Sequence, residues 1–114
     1  PLWSCVVDSV CPDWNSMTPT QQRDGVAAYT AYTQALTKAG VLRDSGRLQD
    51  SVEAATVRVT HGKSHVLDGP FAESKEQLGG YYLIDVADRE AALAWAAKCP
   101  GANHGVVEVR PLWQ

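Results

Sequence analysis

One continuous segment, residues 68–86, constrains the fold of this chain more than any other stretch. It reads DGPFAESKEQLGGYYLIDV and joins a carboxylate, a rigid turn and an apolar strand. Asp68-Gly69-Pro70 is turn chemistry, because Gly tolerates positive φ, Pro fixes its own φ and Asp bonds nearby backbone N–H groups. Gly79-Gly80 then lets the chain enter a strand close to its neighbours. The segment therefore predicts a strand end, a tight turn and a buried strand in succession.

The first half of the chain has a strand pattern followed by a strong helix start. Residues 2–8 predict the first strand, since Val6 and Val7 are apolar together. Thr18, Pro19 and Gln21 then have the spacing of a capping box with proline at the first helical position. Gly40 ends the predicted helix. Its apolar stripe is predicted to contain Val26, Tyr29, Thr33 and Leu36.

The second half is predicted to contain four strands and one helix, after a strand at 41–48. Strands at 56–60 and 64–67 are joined by the tight turn 61–63, and YYLIDV follows. Asp88 caps a helix that places Ala92, Trp95, Ala96 and Cys99 on one face, and 105–110 is the last strand. The order β-α-β-β-(β)-β-α-β is the split βαβ pattern with an inserted hairpin. We therefore predict an α+β, ferredoxin-like fold, with an antiparallel sheet and both helices on one face.

Strand periodicity predicts that the other face of this sheet is unsuited to water. Tyr82, Ile84 and Val86 share one face, and Tyr81, Leu83 and Asp85 share the other. The last strand divides in the same way, with Glu108 and Arg110 on the mixed face. That face is too apolar for solvent and too charged for an ordinary core. A homodimer that closes two such faces over each other would cover it and enclose a cavity; a monomer with a solvent-facing sheet is the alternative.

Together with the ending VVEVRPLW, the DGPF segment resembles the DGPF branch of the YCII-related family. The resemblance extends from Thr18 onward and is weakest over 1–14. It implies one domain over residues 1–114, with a ferredoxin-like fold that pairs as a dimeric α/β barrel. Some relatives use a His–Asp pair for elimination chemistry on small ring compounds. Similar proteins are often encoded beside alternative sigma factors.

Size and charge exclude several classes of function. The chain has 114 residues and a formal net charge of −3, with its lysines and arginines dispersed. Direct binding to nucleic acid or to an anionic membrane is therefore not expected. No apolar run approaches the ~20 residues that a membrane-spanning helix needs. We expect a soluble, cytoplasmic protein.

The three cysteines, Cys5, Cys11 and Cys99, have no metal-binding or CxxC spacing. We expect Cys5 and Cys99 to be small buried hydrophobic residues. A Cys5–Cys11 bridge is the alternative for that pair, if the chain doubles back after Ser9. No cluster of ligands predicts a metal site, and no cofactor is expected.

Asp68 and His65 are the predicted catalytic residues. Asp68 ends a strand just before a rigid turn, where a partly buried carboxylate gains the raised pKa that a general acid or base needs. The alternative is that it only forms the turn. His65 lies three residues earlier, so the two side chains point to opposite faces of a regular strand. A bulge or a second subunit is needed to bring them together.

Five further residues are predicted to bind substrate. Arg47, in the run GRLQ, suits an anionic group or pairs with an acid. Glu73 reaches a cavity mouth or forms a solvated ion pair. The set is Arg47, Phe71, Glu73, Tyr81 and Glu108.

The first strand departs from the aliphatic strand usual in this family, so Ser4, Cys5 and Asp8 either belong to a specialised site or have drifted.

Two functions fit these residues. The first is a cofactor-independent lyase or isomerase that does acid/base chemistry on a small cyclic or carbonyl-bearing molecule in a dimer cavity. The second is a non-catalytic ligand-binding or regulatory accessory protein, for example one associated with an alternative sigma factor. The sequence leaves both open, along with the substrate.

Overall fold

The computed structural model describes residues 2–12, 16–49, 51–70 and 76–113. A 3-10 turn, Ser51–Glu53, lies just before the strand that begins at Ala55. In chain order the other elements are β1 (Trp3–Pro12), α1 (Pro19–Lys38), β2 (Leu42–Arg47), β3 (Ala55–Thr60), β4 (Lys63–Asp68), β5 (Glu76–Val86), α2 (Arg89–Lys98), α3 (Gly101–His104) and β6 (Val106–Pro111).

Four strands form one antiparallel sheet in the order β2-β5-β1-β6, and β3 pairs with β4 as a separate hairpin. The predicted α+β, ferredoxin-like fold with an inserted hairpin is confirmed. The predicted end of β1 at Asp8 was too early, because β1 continues to pair with β5 as far as Pro12 after a bulge between Ser9 and Val10. A bulge shifts the alternation of side chains by one residue. A prediction that follows strict alternation therefore ends the strand at the bulge.

Helix α1 begins and ends as predicted. The Thr18 hydroxyl accepts a bond from the Gln21 N–H at 3.1 Å, and the Gln21 side chain accepts one from the Thr18 N–H at 2.9 Å. Gly40, with φ of 74°, follows the helix. The predicted stripe was wrong at its first member: Val26 is exposed, whereas Tyr32 is buried with Leu36. At 100° per residue, Val26 lies about a quarter-turn from the centre of the buried stripe.

The core lies between α1, α2 and one face of the four-stranded sheet. Its buried members are Cys5, Val7, Tyr32, Leu36, Tyr82, Ile84, Val86, Ala92, Ala96 and Cys99. The Tyr32 and Tyr82 rings meet edge to face at 5.2 Å. Tyr32 donates to the Trp95 carbonyl at 2.7 Å, and the Tyr82 and Thr33 hydroxyls lie 2.9 Å apart. These bonds satisfy the polar ends of the two buried rings.

The β3–β4 hairpin turns at His61 and Gly62, whose φ values are 51° and 76°. Two successive residues with positive φ are typical of the type I′ turn that suits the twist of a hairpin. The hairpin pairs in regular register from Ala55 opposite Asp68 to Thr60 opposite Lys63. We call this hairpin, residues 55–68, the arm.

Cys5 and Cys99 are buried as predicted, and the alternative, a disulfide between Cys5 and Cys11, is wrong. Cys5 and Cys11 lie six residues apart on one extended strand, about 20 Å at ~3.4 Å per residue. That separation is far beyond the span of a disulfide.

None of the helices in the described ranges has the length and apolar character needed to cross a bilayer.

Candidate functional site

The side of the four-stranded sheet that faces away from the helices is covered by no element in the described part of the chain. We call it the open face. Strand register places its members in rows across neighbouring strands. They are Ser4, Val6, Asp8, Asp44, Gly46, Leu78, Tyr81, Leu83, Asp85, Val106, Glu108 and Arg110. Apolar and charged side chains are mixed on this face, as the period-two patterns of β5 and β6 predicted.

Asp8 lies at the centre of one row. It is directly opposite Tyr81 on β5 and directly opposite Glu108 on β6. Partial burial raises the pKa of Asp8, the negative charge of Glu108 adds to the rise, and the positive charge of Arg110 opposes it. A carboxylate with a raised pKa is a better proton acceptor at neutral pH. Asp8 is therefore the open-face residue best suited to proton transfer.

Arg110, the cation whose charge acts on Asp8, is paired with a carboxylate. Arg110 Nη2 lies 2.7 Å from Glu108 Oε1, and both side chains are largely exposed. An exposed pair of this kind contributes under about 1 kcal/mol to folding. Its effect on the site is local: the guanidinium partly offsets the Glu108 charge that faces Asp8.

A second carboxylate of the open face, Asp85, is held by two neighbours. Ser4 donates its hydroxyl proton to Asp85 Oδ1. Arg43 Nε lies 3.4 Å from Asp85 Oδ2. Asp85 is thus hydrogen-bonded and charge-compensated, which fits a positioning role for this carboxylate better than a proton-transfer role.

Tyr81 occupies space that a glycine leaves free. Gly46 lies opposite Tyr81 on β2, and a Cβ at Gly46 would come 2.7 Å from Tyr81 Cε1. The ring therefore lies across the backbone of the edge strand. Tyr81 lies in the same row as Asp8 and Glu108, on the face that the sequence predicted for it, and its ring leans toward β2.

The predicted catalytic pair lies on the arm and not on the four-stranded sheet. Asp68 ends β4 opposite Ala55, and His65 lies opposite Arg58. Both side chains are exposed. Because β4 pairs without a bulge and the two residues are three apart, they point to opposite faces. Within one chain the structure does not bring them together.

The predicted substrate-binding residues are distributed over three places. Arg47 is exposed at the end of β2, opposite Gly80. Tyr81 and Glu108 share the row that contains Asp8. Phe71 and Glu73 lie outside the described residues. The structure thus brings two of the five together.

The buried thiol of Cys5 lies on the opposite, helix-covered face. Burial raises its pKa to about 11, and the charge of Asp85 adds to the rise. A thiol with that pKa stays protonated at neutral pH and is a poor nucleophile. Cys5 is therefore poorly suited to act as a nucleophile in this conformation.

A groove of about 480 Å³ between α1 and α2 lies on the far side of the molecule. Alanines 28, 31 and 35 are among its lining residues, together with Trp95 and Lys98. The Lys98 ammonium lies 4.9 Å from the centre of the Trp95 ring. The groove brings no proton-transfer pair together, so we place the candidate site on the open face.

Asp8 was named from sequence only as part of an unusual strand, and its position between Tyr81 and Glu108 was missed. The signal that was available is the alternation in β1, which puts Asp8 on the same side as Ser4 and Val6. The strand register was missing, because no residue near Asp8 in the sequence indicates that Asp8 lies opposite Glu108. Register is a long-range property of strand pairing.

A family model of the YCII-related domain matches residues 9–114. The chain belongs to the YCII-related family. A Rhizobium meliloti (strain 1021) protein described as uncharacterized is 46% identical over 108 residues, which cover 92% of this chain and 84% of that protein. Asp8 immediately precedes the range that the YCII-related model matches, whereas Tyr81, Glu108 and the arm lie inside it.

Proposed function

We propose that this YCII-related chain acts as one domain that catalyses cofactor-independent acid/base chemistry, of the lyase or isomerase type, on a small cyclic or carbonyl-bearing molecule bound to the open face. The observation that carries the proposal is the row of Asp8, Tyr81 and Glu108 across three neighbouring strands. Such a row puts a proton acceptor and a phenol on the same face, with the phenol oxygen lying over the edge strand β2.

The proposed chemistry is a proton transfer with no change of oxidation state. Asp8 removes a proton from a carbon next to the substrate carbonyl, and the Tyr81 hydroxyl donates a hydrogen bond to the carbonyl oxygen as charge develops there. Return of the proton to another atom gives an isomer, and departure of a leaving group gives an elimination. Val6 and Leu83, in the next row, provide an apolar contact for the substrate's hydrocarbon part.

We further propose that the working form is a homodimer in which a second copy covers the open face. Leu78 and Val106 are both about half exposed on this face in the single chain. Apolar side chains mixed with paired charges are typical of interfaces that enclose a polar cavity. Asp68 and His65 stay proposed as catalytic, and Arg47, Phe71, Glu73, Tyr81 and Glu108 as substrate-binding.

Deuterium exchange tests the chemistry even when the product is unidentified. Small cyclic ketones and carbonyl compounds are first screened for an increase in Tm, because a ligand that binds only the native state stabilises it. Binders are then incubated with the protein in D₂O, and NMR measures the replacement of carbon-bound hydrogen by deuterium. We expect Asp8→Asn to slow this exchange by about 100-fold or more.

Asp44→Asn is the matched control, since Asp44 is an exposed carboxylate of the same face that accepts a bond from the Ser45 N–H at 2.8 Å. It should leave exchange unchanged. Equal exchange rates for Asp8→Asn and the wild type would overturn the assignment of Asp8. Tight binding with no exchange above background would favour the non-catalytic binding protein instead.

A further inference from the structure

The edge strand β2 has a bulge at Arg43, beside the open face. The register of β2 with β5 jumps between Leu42 and Asp44, so Arg43 is the extra residue of the pair. A bulge bends its strand and redirects the side chains at that point. Arg43 lies at this bend, and its guanidinium contacts Asp85, a member of the open face. The edge strand therefore adds a cation to this face.

Asp85 holds part of the Arg43 guanidinium and leaves the rest accessible. Arg43 Nε lies 3.4 Å from Asp85 Oδ2, and Arg43 Nη1 lies 3.5 Å from Asp85 Oδ1. Both distances are longer than the about 2.8 Å of a tight charge-assisted pair. A guanidinium has more N–H donors than these two contacts use, and 51% of the Arg43 side chain is exposed. Arg43 can therefore bind an anion from solvent while Asp85 keeps its orientation.

Ser4 supports the Asp85 carboxylate from the next strand. Its hydroxyl donates to Asp85 Oδ1, and Ser4 is only 9% exposed. A carboxylate that is bonded by a nearly buried donor on one strand and by an arginine on another has little freedom to rotate. An arginine oriented in this way presents its planar fork to a second carboxylate. Ser4 and Asp85 thus act as positioning residues for Arg43.

Arg110 is a less favourable anion site on the same face. Arg110 Nη2 lies 2.7 Å from Glu108 Oε1, the distance of a tight pair. Glu108 also lies opposite Asp8, so an anion bound to Arg110 would meet two carboxylates. The contacts of Arg43 are longer, so less is lost when Arg43 turns its donors toward a ligand. Arg43 is therefore the better anchor for an anionic group.

The spacing along β5 sets the length of a molecule that would join Tyr81 to Arg43. Tyr81 and Asp85 are four positions apart on β5, about 14 Å at ~3.4 Å per residue. Hydrogen bonds of about 3 Å at each end leave roughly 8 Å for the molecule itself. A single carbocyclic ring with a carbonyl at one end and an acid group at the opposite end suits this length. Leu83 lies midway on the same side and contacts the ring.

We propose that Arg43 binds the carboxylate of a cyclic keto acid whose carbonyl lies at Tyr81. The inference rests on the proposed function, since Asp8 removes the proton next to that carbonyl, and it names the substrate class. Arg43 selects an anionic ring compound over a neutral one and sets which ring carbon lies at Asp8. It adds no further chemical step.

A matched pair of probes tests the anion site by binding alone. The probes are 4-oxocyclohexanecarboxylate and 4-oxocyclohexanecarboxamide, which differ in charge and hardly in shape. Isothermal titration calorimetry should show that the wild type binds the carboxylate about 10-fold more tightly than the amide. Arg43→Gln should abolish this preference and leave the Kd of the amide unchanged. Arg43→Lys should retain part of it, because an ammonium keeps the charge without the planar fork.

Arg89→Gln is the charge-matched control, since Arg89 is exposed at the start of α2. It should keep the wild-type preference, and thermal denaturation checks that each variant is folded. Arg43→Lys gives a second reading if Arg43→Gln does not fold. Equal affinities of the wild type for the two probes, or a preference that survives Arg43→Gln, would overturn the proposal. So would a preference that is lost in Arg47→Gln or Arg110→Gln and kept in Arg43→Gln.

Deuterium exchange separates this inference from the proposed chemistry. If both hold, Arg43→Gln slows exchange into the carboxylate probe and not into the amide, whereas Asp8→Asn slows exchange into both. A carboxylate preference that depends on Arg43, with no exchange above background, leaves the anion site in place and removes the chemistry. Exchange that depends on Asp8, with no preference that depends on Arg43, retains the chemistry and removes the anion site.

Discussion

The two faces of the four-stranded sheet are built from the same strands and have opposite character. On the helix-covered face, Val7 and Ile84 are fully buried and the Tyr82 hydroxyl has a partner in Thr33. On the open face, Asp8 lies between a phenol and a second carboxylate. One chain completes the first face by itself, whereas the second has no cover among the described residues. The closed core thus lies on one side of a single sheet, and the ionisable groups lie on the other.

Truncation of neighbouring residues of β5 gives the largest expected contrast between the two faces. Ile84→Ala should lower the free energy of unfolding by about 2–5 kcal/mol, because it leaves a cavity in a closed core. Leu83→Ala should cost about 1 kcal/mol, because its side chain is only partly buried in the single chain. Urea denaturation of dilute protein measures both changes. Equal losses would mean that the open face is as well packed as the core.

Alanine substitutions at two glycines, Gly80 and Gly46, should give a smaller difference in stability. The loss depends on whether the new Cβ meets backbone or a movable side chain. A Cβ at Gly80 would lie 2.8 Å from the Gly46 carbonyl oxygen, which belongs to the backbone of the next strand and has little freedom to move. Gly80→Ala should therefore cost about 1–3 kcal/mol.

Gly46→Ala should cost under about 1 kcal/mol, because the atom it meets, Tyr81 Cε1, belongs to a ring that can rotate away. Thermal denaturation gives the two stabilities, and the deuterium-exchange assay should report that Gly46→Ala slows exchange by displacing Tyr81. A greater loss of stability in Gly46→Ala than in Gly80→Ala would contradict this account.

The smallest expected effect concerns pH and comes from Asp8. Its pKa is raised in the folded chain, so the native state binds this proton more tightly than the unfolded state, whose aspartate pKa is about 3.9. The contribution of Asp8 to stability is therefore most favourable at low pH. It decreases as pH rises from the unfolded value through the raised folded value.

Asp8→Asn removes that dependence. The variant should gain stability relative to wild type as pH rises through the same interval. Urea denaturation from about pH 3 to about pH 7 measures the difference. A variant that becomes relatively less stable as pH rises would show that the Asp8 carboxylate is stabilised by folding.

The parts of the structure that depend on local chemistry were predictable. The Thr18 capping box, the Asp88 cap and the division of β5 into two faces each follow from residues within a few positions of one another. Pairing between distant strands was not predictable in this way. The row of Asp8 and Glu108 joins residues one hundred positions apart, and the bulge after Ser9 interrupts the pattern that would have extended β1.

The candidate site was predicted in part, for the same physical reason. Tyr81 and Glu108 could be placed on the mixed face because alternation within one strand fixes the direction of a side chain. The motif around Asp68 identified a candidate residue on the arm. The sequence did not predict that this hairpin extends away from the four-stranded sheet of the same chain. Asp68 and Asp8 therefore lie on separate parts of one molecule.

The burial of Cys5 makes its thiol a natural probe for separation of the helices from the sheet. The thiol lies on a central strand with its side chain fully enclosed, and Cys99 is enclosed beneath the end of α2. A thiol-specific reagent can modify either sulfur only when the helices separate from the sheet. The modification rate of these two atoms therefore counts how often the hydrophobic interior is exposed to solvent, without any added label.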